Sequence, residues 1–173
     1  MGNFVGRVFI LFVGSFMAVV GYMLTWTTYG SWLQGDRRGW VMDVKIHEGD
    51  RRLERVNRRQ MCESEFRLNE QQRELVGKAI LTEAKKIGQR IYGLAVCCNH
   101  VHVAADDVIM VTGRVVSNYK NSAIKELRKI GVEGKVWTQG FNKRFCNNEI
   151  EILKKVEYVC GHANIDAYVR RFC

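Results

Sequence analysis

Two short stretches carry the side chains best suited to chemistry. His100 and His102 flank Val101, and residues two apart in a strand project from one face. Two imidazoles then stand side by side, a geometry that suits two ligands of one divalent metal, while Val101 and Val103 face the other way into the core. Alone, such a pair is more often an exposed strand edge that happens to hold two histidines. The second stretch bears on that choice. Tyr158 and His162 are four apart on a helix and share a face, with Lys154 one turn to the other side. If this row meets the His100/His102 face, His162 becomes a third ligand and Tyr158 sits where a bound metal polarises a phosphate next to its hydroxyl. A tyrosine oxygen attacking a phosphodiester forms a covalent intermediate. It needs a Lewis acid on a non-bridging oxygen, because the anionic phosphate resists a nucleophile. Taken alone, Tyr158 reads as a half-buried packing residue.

The elements that must position these groups follow from local pattern. Residues 24–33 form a strand rich in Thr and aromatics, closed by the turn signals Gly35 and Gly39. Residues 36–68 are charged and weakly periodic, with Arg51, Arg52, Arg55, Arg58 and Arg59 clustered; an irregular excursion with a short helix is expected. Asn69 caps a helix whose apolar residues Leu75, Val76, Ala79, Ile80, Ala84 and Ile87 keep helical spacing up to Gly88. Residues 91–98 and 100–105 are two extended stretches interrupted at Asn99. Thr112 caps a second helix that runs to about residue 130 and stops at Gly131. Residues 135–146 are a further strand region, with a hairpin across Gly140. Asn147 or Asn148 caps a last helix from Glu149, with Ile150, Leu153, Val156 and Cys160 as its core stripe. This order predicts an α+β fold: a ferredoxin-like two-layer sandwich, an antiparallel sheet with helices packed on one face.

The chain has 173 residues, a formal net charge of +9, six cysteines and no proline. About nine prolines would be average, so a Pro-rich linker, a polyproline ligand and a cis-Pro turn are excluded. Residues 112–145 hold eight Lys and Arg against two acidic residues, a block that suits a phosphate-binding surface. Its candidates are Arg114, Lys120, Lys125, Arg128, Lys143 and Arg144, with Trp137, Phe141 and Phe145 available to stack bases or to fill the core. The cysteines form no CxxC pair and no zinc-ribbon spacing. Cys97 and Cys98 read as small core residues of a reduced cytosolic protein. No charged residue occurs between Val8 and Gly35. The apolar residues 1–22 are open to three readings: a signal peptide without a small-residue cleavage site, a membrane span, or a stretch upstream of a true start at Met23. The last is preferred, which leaves residues 23–173 as the folded domain.

The stretch CNHVHV, residues 98–103, resembles the His-hydrophobic-His motif of the HUH superfamily. The wider pattern resembles its single-tyrosine insertion-sequence transposases, in particular the REP-associated tyrosine transposases. LTWTTYGSWLQGDRRGWV at 24–41 resembles the first strand and turn of one branch, and LNEQQREL at 68–75 its first helix. Residues 117–127 resemble the helix after the histidines, with Lys120 at a typical basic position. Val136-Trp137 and residues 140–145 resemble the strand pair before the last helix, and Val156-Glu157-Tyr158-Val159 the helix that carries the nucleophile. The resemblance covers residues 23–165. It implies a catalytic Tyr158, metal ligands His100 and His102, and His162 as the third ligand at a position that is often Gln in the family. Tyr168 is a rival tyrosine outside the motif. The implied activity is cleavage and rejoining of single-stranded DNA through a 5′-phosphotyrosine with Mg2+ or Mn2+. The implied partners are single-stranded DNA with hairpin or palindromic ends and a second copy of the chain, in the cytoplasm and without membrane association. The alternative is a catalytically inactive hairpin-binding protein derived from such a transposase.

Overall fold

The structure is a computed structural model, and it describes residues 19–42 and 45–172. Five strands form the main sheet: β1 (Gly21–Thr27), β4 (Ile91–Val96), β5 (His100–Asp106), β6 (Asn142–Cys146) and β7 (Tyr168–Arg171). Their order is β6-β1-β5-β4-β7, and every neighbouring pair is antiparallel. A separate hairpin of β2 (Trp40–Met42) and β3 (Lys45–His47) lies in the excursion after β1, followed by α1 (Arg51–Arg59). The remaining helices are α2 (Glu70–Lys86), α3 (Thr112–Lys129) and α4 (Glu149–Gly161). Without the hairpin, α1 and the elements after β6, the chain runs β1-α2-β4-β5-α3-β6, the ferredoxin-like split βαβ order. The α+β antiparallel fold expected from the sequence is the fold observed.

Alternation along the strands sorts the residues onto two faces. Tyr22, Leu24, Trp26, Leu94, Val101 and Val103 pack with α2 and α3 in the larger core. Met23, Ala95 and Ala104 point the other way and meet Ile152, Val156 and Val159 of α4. Thus α2 and α3 form the expected helical layer, and α4 covers the opposite face, which is the face of the histidines. The core stripe of α4 is also rotated from the expected one. Ile150 and Leu153 are more than half exposed, while Ile152, Val156 and Val159 are buried. The buried stripe packs on Met23, Ala95, Ala104 and Cys146 of the sheet, with Val156 and Val159 also in van der Waals contact with Gly93.

The helix boundaries follow their caps. Asn69 and Gln72 form a reciprocal capping box on α2, and Asn148 accepts from the Glu151 backbone at the start of α4. At α3 the cap position falls to Val111, with no side-chain cap, and the Thr112 hydroxyl accepts from Lys143 Nζ. Gly131 takes a positive φ of 81° just past the end of α3.

Three further differences are local. The 24–33 strand is shorter, since after Thr27 the chain makes one bridge, Thr28 to Trp137, and then turns. The 135–146 hairpin is reduced to β6, because Val136 and Trp137 sink into the larger core. The last strand, β7, was not legible. β1 opens at Gly21, two residues ahead of the expected start of the folded part. Tyr22 is fully buried there, its hydroxyl accepting from Gln89 Nε2 at 2.6 Å. Residues 1–18, which carry most of the apolar stretch, lie outside the described residues. Among the described residues no helix is long and apolar enough to cross a membrane.

Candidate active site

β4 and β5 are joined by a tight turn in which the Cys97 N–H donates to the His100 carbonyl at 2.9 Å. His102 lies opposite Thr25 of β1 and Ala95 of β4. His100 and His102 therefore project from the α4 face, while Val101 and Val103 are fully buried on the other. The C-terminal end of α4 crosses above them. Ring centroids are 4.7 Å apart for His100 and His102, 4.7 Å for His102 and His162, and 5.5 Å for His100 and His162. The Tyr158 ring is 5.4 Å from His102 and 5.0 Å from His162. The four side chains singled out for chemistry thus converge, across 56 residues of chain between His102 and Tyr158. Tyr158 is 53% exposed, open to a large substrate, whereas His102 and His162 are buried.

Hydrogen bonds orient the imidazoles. His162 Nδ1 lies 2.9 Å from the Tyr158 carbonyl oxygen, and His100 Nδ1 lies 2.7 Å from Asn99 Oδ1. Both partners are acceptors, so each Nδ1 carries its proton and each Nε2 keeps a free lone pair. His102 Nδ1 lies 2.7 Å from the Thr25 hydroxyl, which accommodates either tautomer. Burial lowers the His100 pKa to about 4, helped by His162 and Arg38. Burial also lowers His102 to about 3, helped by His100, His162 and Arg144. Neutral imidazoles are the metal-binding form, and imidazole nitrogens suit a divalent ion that accepts nitrogen ligands; the close group of ligand atoms among the described residues takes in His100 and His162 but not His102.

Sequence reasoning missed one member. The potential ligand atoms of Cys97, His100 and His162 all lie within 4.8 Å of one another, the one such group among the described residues. The available signal was the Cys97-x-x-His100 spacing across a tight turn, which a CxxC pattern does not contain. Burial pushes the Cys97 thiol up to about 11.

The basic candidates do not form one groove. Arg144 pairs with Met23 in the β1–β6 register and so lies on the histidine face. Lys143 lies on the other face, over the Tyr22 and Phe145 rings at 4.6 and 4.2 Å. Arg114, Lys125 and Arg128 belong to α3, also on that far side. Two of the six are committed to the fold. Lys120 Nζ donates to the carbonyls of Thr138 and Gly140 at 2.8 and 2.7 Å, and its burial lowers its pKa to about 8. Arg128 donates to the carbonyls of Val132 and Gly134 at 2.5 and 2.6 Å, closing the end of α3. Trp137 packs edge-on against Trp26 at 6.3 Å and is a core residue, whereas Phe141 and Phe145 are exposed. Tyr168 packs against Gly77 of α2, on the face away from the histidines. An unforeseen cleft of about 220 Å³ is lined by Arg37, Arg38, Arg58 and Arg67 together with Asp36, Glu54 and Glu65.

No protein-family model and no curated protein sequence matches the chain. Among solved structures it is similar to a REP-associated tyrosine transposase bound to a REP hairpin. That match has a TM-score of 0.51 and 12% identity, covering 84% of this chain and 68% of the other. A protein described as a candidate transposase from Deinococcus radiodurans R1 matches with a TM-score of 0.45 and 13% identity, over 92% of this chain and 95% of the other. The chain has the fold of the REP-associated tyrosine transposase, an α+β domain built on an antiparallel sheet.

Proposed function

We propose that the chain is a single-stranded DNA transposase or nickase that cleaves and rejoins DNA through a 5′-phosphotyrosine on Tyr158. A divalent ion, Mg2+ or Mn2+, would be held by His100, His102 and His162. The observation that carries this reading is the placement of a half-exposed tyrosine ring within 5.4 Å of two buried imidazoles from separate elements. In the reaction Tyr158 Oη bonds to phosphorus and the P–O3′ bond breaks, leaving a free 3′-OH and the 5′-phosphate on the tyrosine. The tyrosine proton leaves to solvent, and the departing 3′-oxygen takes one up. Attack by a new 3′-OH reverses the step and rejoins the strand, so no nucleotide cofactor is needed. A bound ion would polarise a non-bridging phosphate oxygen and offset its charge. His162 and His100 keep their Nε2 lone pairs aimed away from their hydrogen-bonded Nδ1 atoms. Arg144 adds positive charge on the same face.

The hairpin in the similar structure supports single-stranded DNA with hairpin or palindromic ends as the substrate. A second copy of the chain as partner and a cytoplasmic location belong to the same reading. The test is incubation with labelled single-stranded oligonucleotides carrying palindromes, with Mn2+, followed by denaturing gels. A covalent protein–DNA adduct that disappears in Tyr158→Phe is expected. Hairpin binding without any adduct in the unsubstituted chain would sink the catalytic reading and leave the inactive, hairpin-binding alternative.

A further inference from the structure

We infer that the Cys97 thiolate is a ligand of the metal centre, together with His100 and His162, so that the centre is a sulfur–nitrogen site that takes Zn2+ or Co2+ ahead of Mg2+. This rests on the metal centre proposed above, adds a sulfur donor to it, and with that donor changes the ion it would prefer. Three observations carry it. Cys97 lies across the β4–β5 turn from His100, to which its backbone N–H is bonded, so both side chains leave the same face of the sheet. Its thiol is 3% exposed yet belongs to neither apolar core, unlike Cys146. Its sulfur and a nitrogen of each of His100 and His162 all stand within 4.8 Å of one another.

Zinc bonds of about 2.0–2.3 Å place tetrahedral ligand atoms roughly 3.4–3.6 Å apart. Closing the trio onto an ion therefore takes shifts of about 1 Å, within the reach of side-chain torsions. As the S–metal bond forms, the thiol releases its proton to solvent. Soft thiolate and imidazole donors favour Zn2+ and Co2+, whereas Mg2+ favours oxygen ligands and gives up its water reluctantly. Cys98, the next residue, cannot substitute: neighbouring strand-end residues face oppositely, and its sulfur accepts from Arg67 Nη1 at 3.8 Å.

The experiment titrates the full chain, freed of metal by a chelator, with Co2+. A thiolate-to-cobalt charge-transfer band in the near ultraviolet is expected in the unsubstituted chain and in Cys98→Ser, and is expected to vanish in Cys97→Ser. Zn2+ should abolish the band by displacement, and a large excess of Mg2+ should not. Loss of an outer-shell partner already costs about 10–100-fold in affinity, so Cys97→Ser should lower Zn2+ affinity by at least about tenfold. Circular dichroism checks that Cys97→Ser is folded. Independently of any variant, bound Zn2+ should protect Cys97 of the unsubstituted chain from alkylation, mapped by mass spectrometry. Absence of the band in the unsubstituted chain, its survival in Cys97→Ser, alkylation of Cys97 at the same rate with Zn2+ bound, or displacement of Co2+ by Mg2+ would each overturn the inference. The two readings fail separately. A DNA adduct formed without a charge-transfer band refutes only the thiolate ligand, and a Cys97-dependent band without any adduct refutes only the DNA chemistry.

Discussion

Lowering the pH should destabilise the protein, measured without added metal, through two of its histidines, His100 and His102. Burial holds His100 near pKa 4 and His102 near 3, against about 6.5 in an unfolded chain. Between those limits the unfolded chain binds protons that the folded chain refuses, so stability is complete above pH 6.5 and falls as the pH drops towards 4. At pH 5 the cost is about 1.36 kcal/mol for each of 1.5 pH units, about 2 kcal/mol per imidazole and about 4 kcal/mol for the pair. That is a large share of the roughly 5–15 kcal/mol that holds a typical domain folded. Urea denaturation in the presence of a chelator at pH 7.5 and pH 5 reads the difference as a fall in midpoint. The double variant His100→Gln/His102→Gln removes both groups and should flatten the dependence. An unchanged midpoint in the unsubstituted chain, or an equal fall in the double variant, would refute the claim that these imidazoles are buried and neutral.

Other outcomes follow from the positions of charged and packing residues. Arg144→Ala, on the histidine face, should weaken single-stranded DNA binding and reduce its salt slope by about 1; Lys125→Ala on α3 should leave both unchanged in a filter-binding series. Lys120→Ala removes two bonds to backbone carbonyls and should cost about 1–3 kcal/mol in denaturation. Asp166→Asn removes the carboxylate that Arg73 Nη2 meets at 2.8 Å. Because Asp166 is 84% exposed, the cost should stay below about 1 kcal/mol. Gly77→Ala drives a Cβ into the Tyr168 ring. It should cost about 1–3 kcal/mol and raise hydrogen exchange in β7.

Local rules carried much of the fold. Caps at Asn69 and Asn148 and the stop at Gly131 were readable because a cap is a contact between residues three or four apart. The shared face of His100 and His102 was readable because strand alternation needs no tertiary information. What sequence spacing left open was α4. Two apolar stripes compete on that helix, and only its packing on Met23, Ala95, Ala104 and Cys146 of the sheet selects Ile152, Val156 and Val159 over Ile150 and Leu153. The short β7 strand has no strong pattern of its own and exists through its pairing with β4.

The sequence by itself determined which side chains could do chemistry: two imidazoles on one strand face, and a tyrosine and a third imidazole one helical turn apart. Tertiary structure decided that they meet, because only the packing of α4 on the far side of the sheet from α2 and α3 brings Tyr158 and His162 above β5. It also decided which charges are spent. Lys120 and Arg128 look like phosphate ligands along the chain, but their donors are taken by carbonyls that close loops. Cys97 is the converse case, a residue that reads as core until the β4–β5 turn sets its sulfur beside two imidazoles. In each case the deciding energy is a contact made only once the chain is folded, which composition and periodicity do not contain.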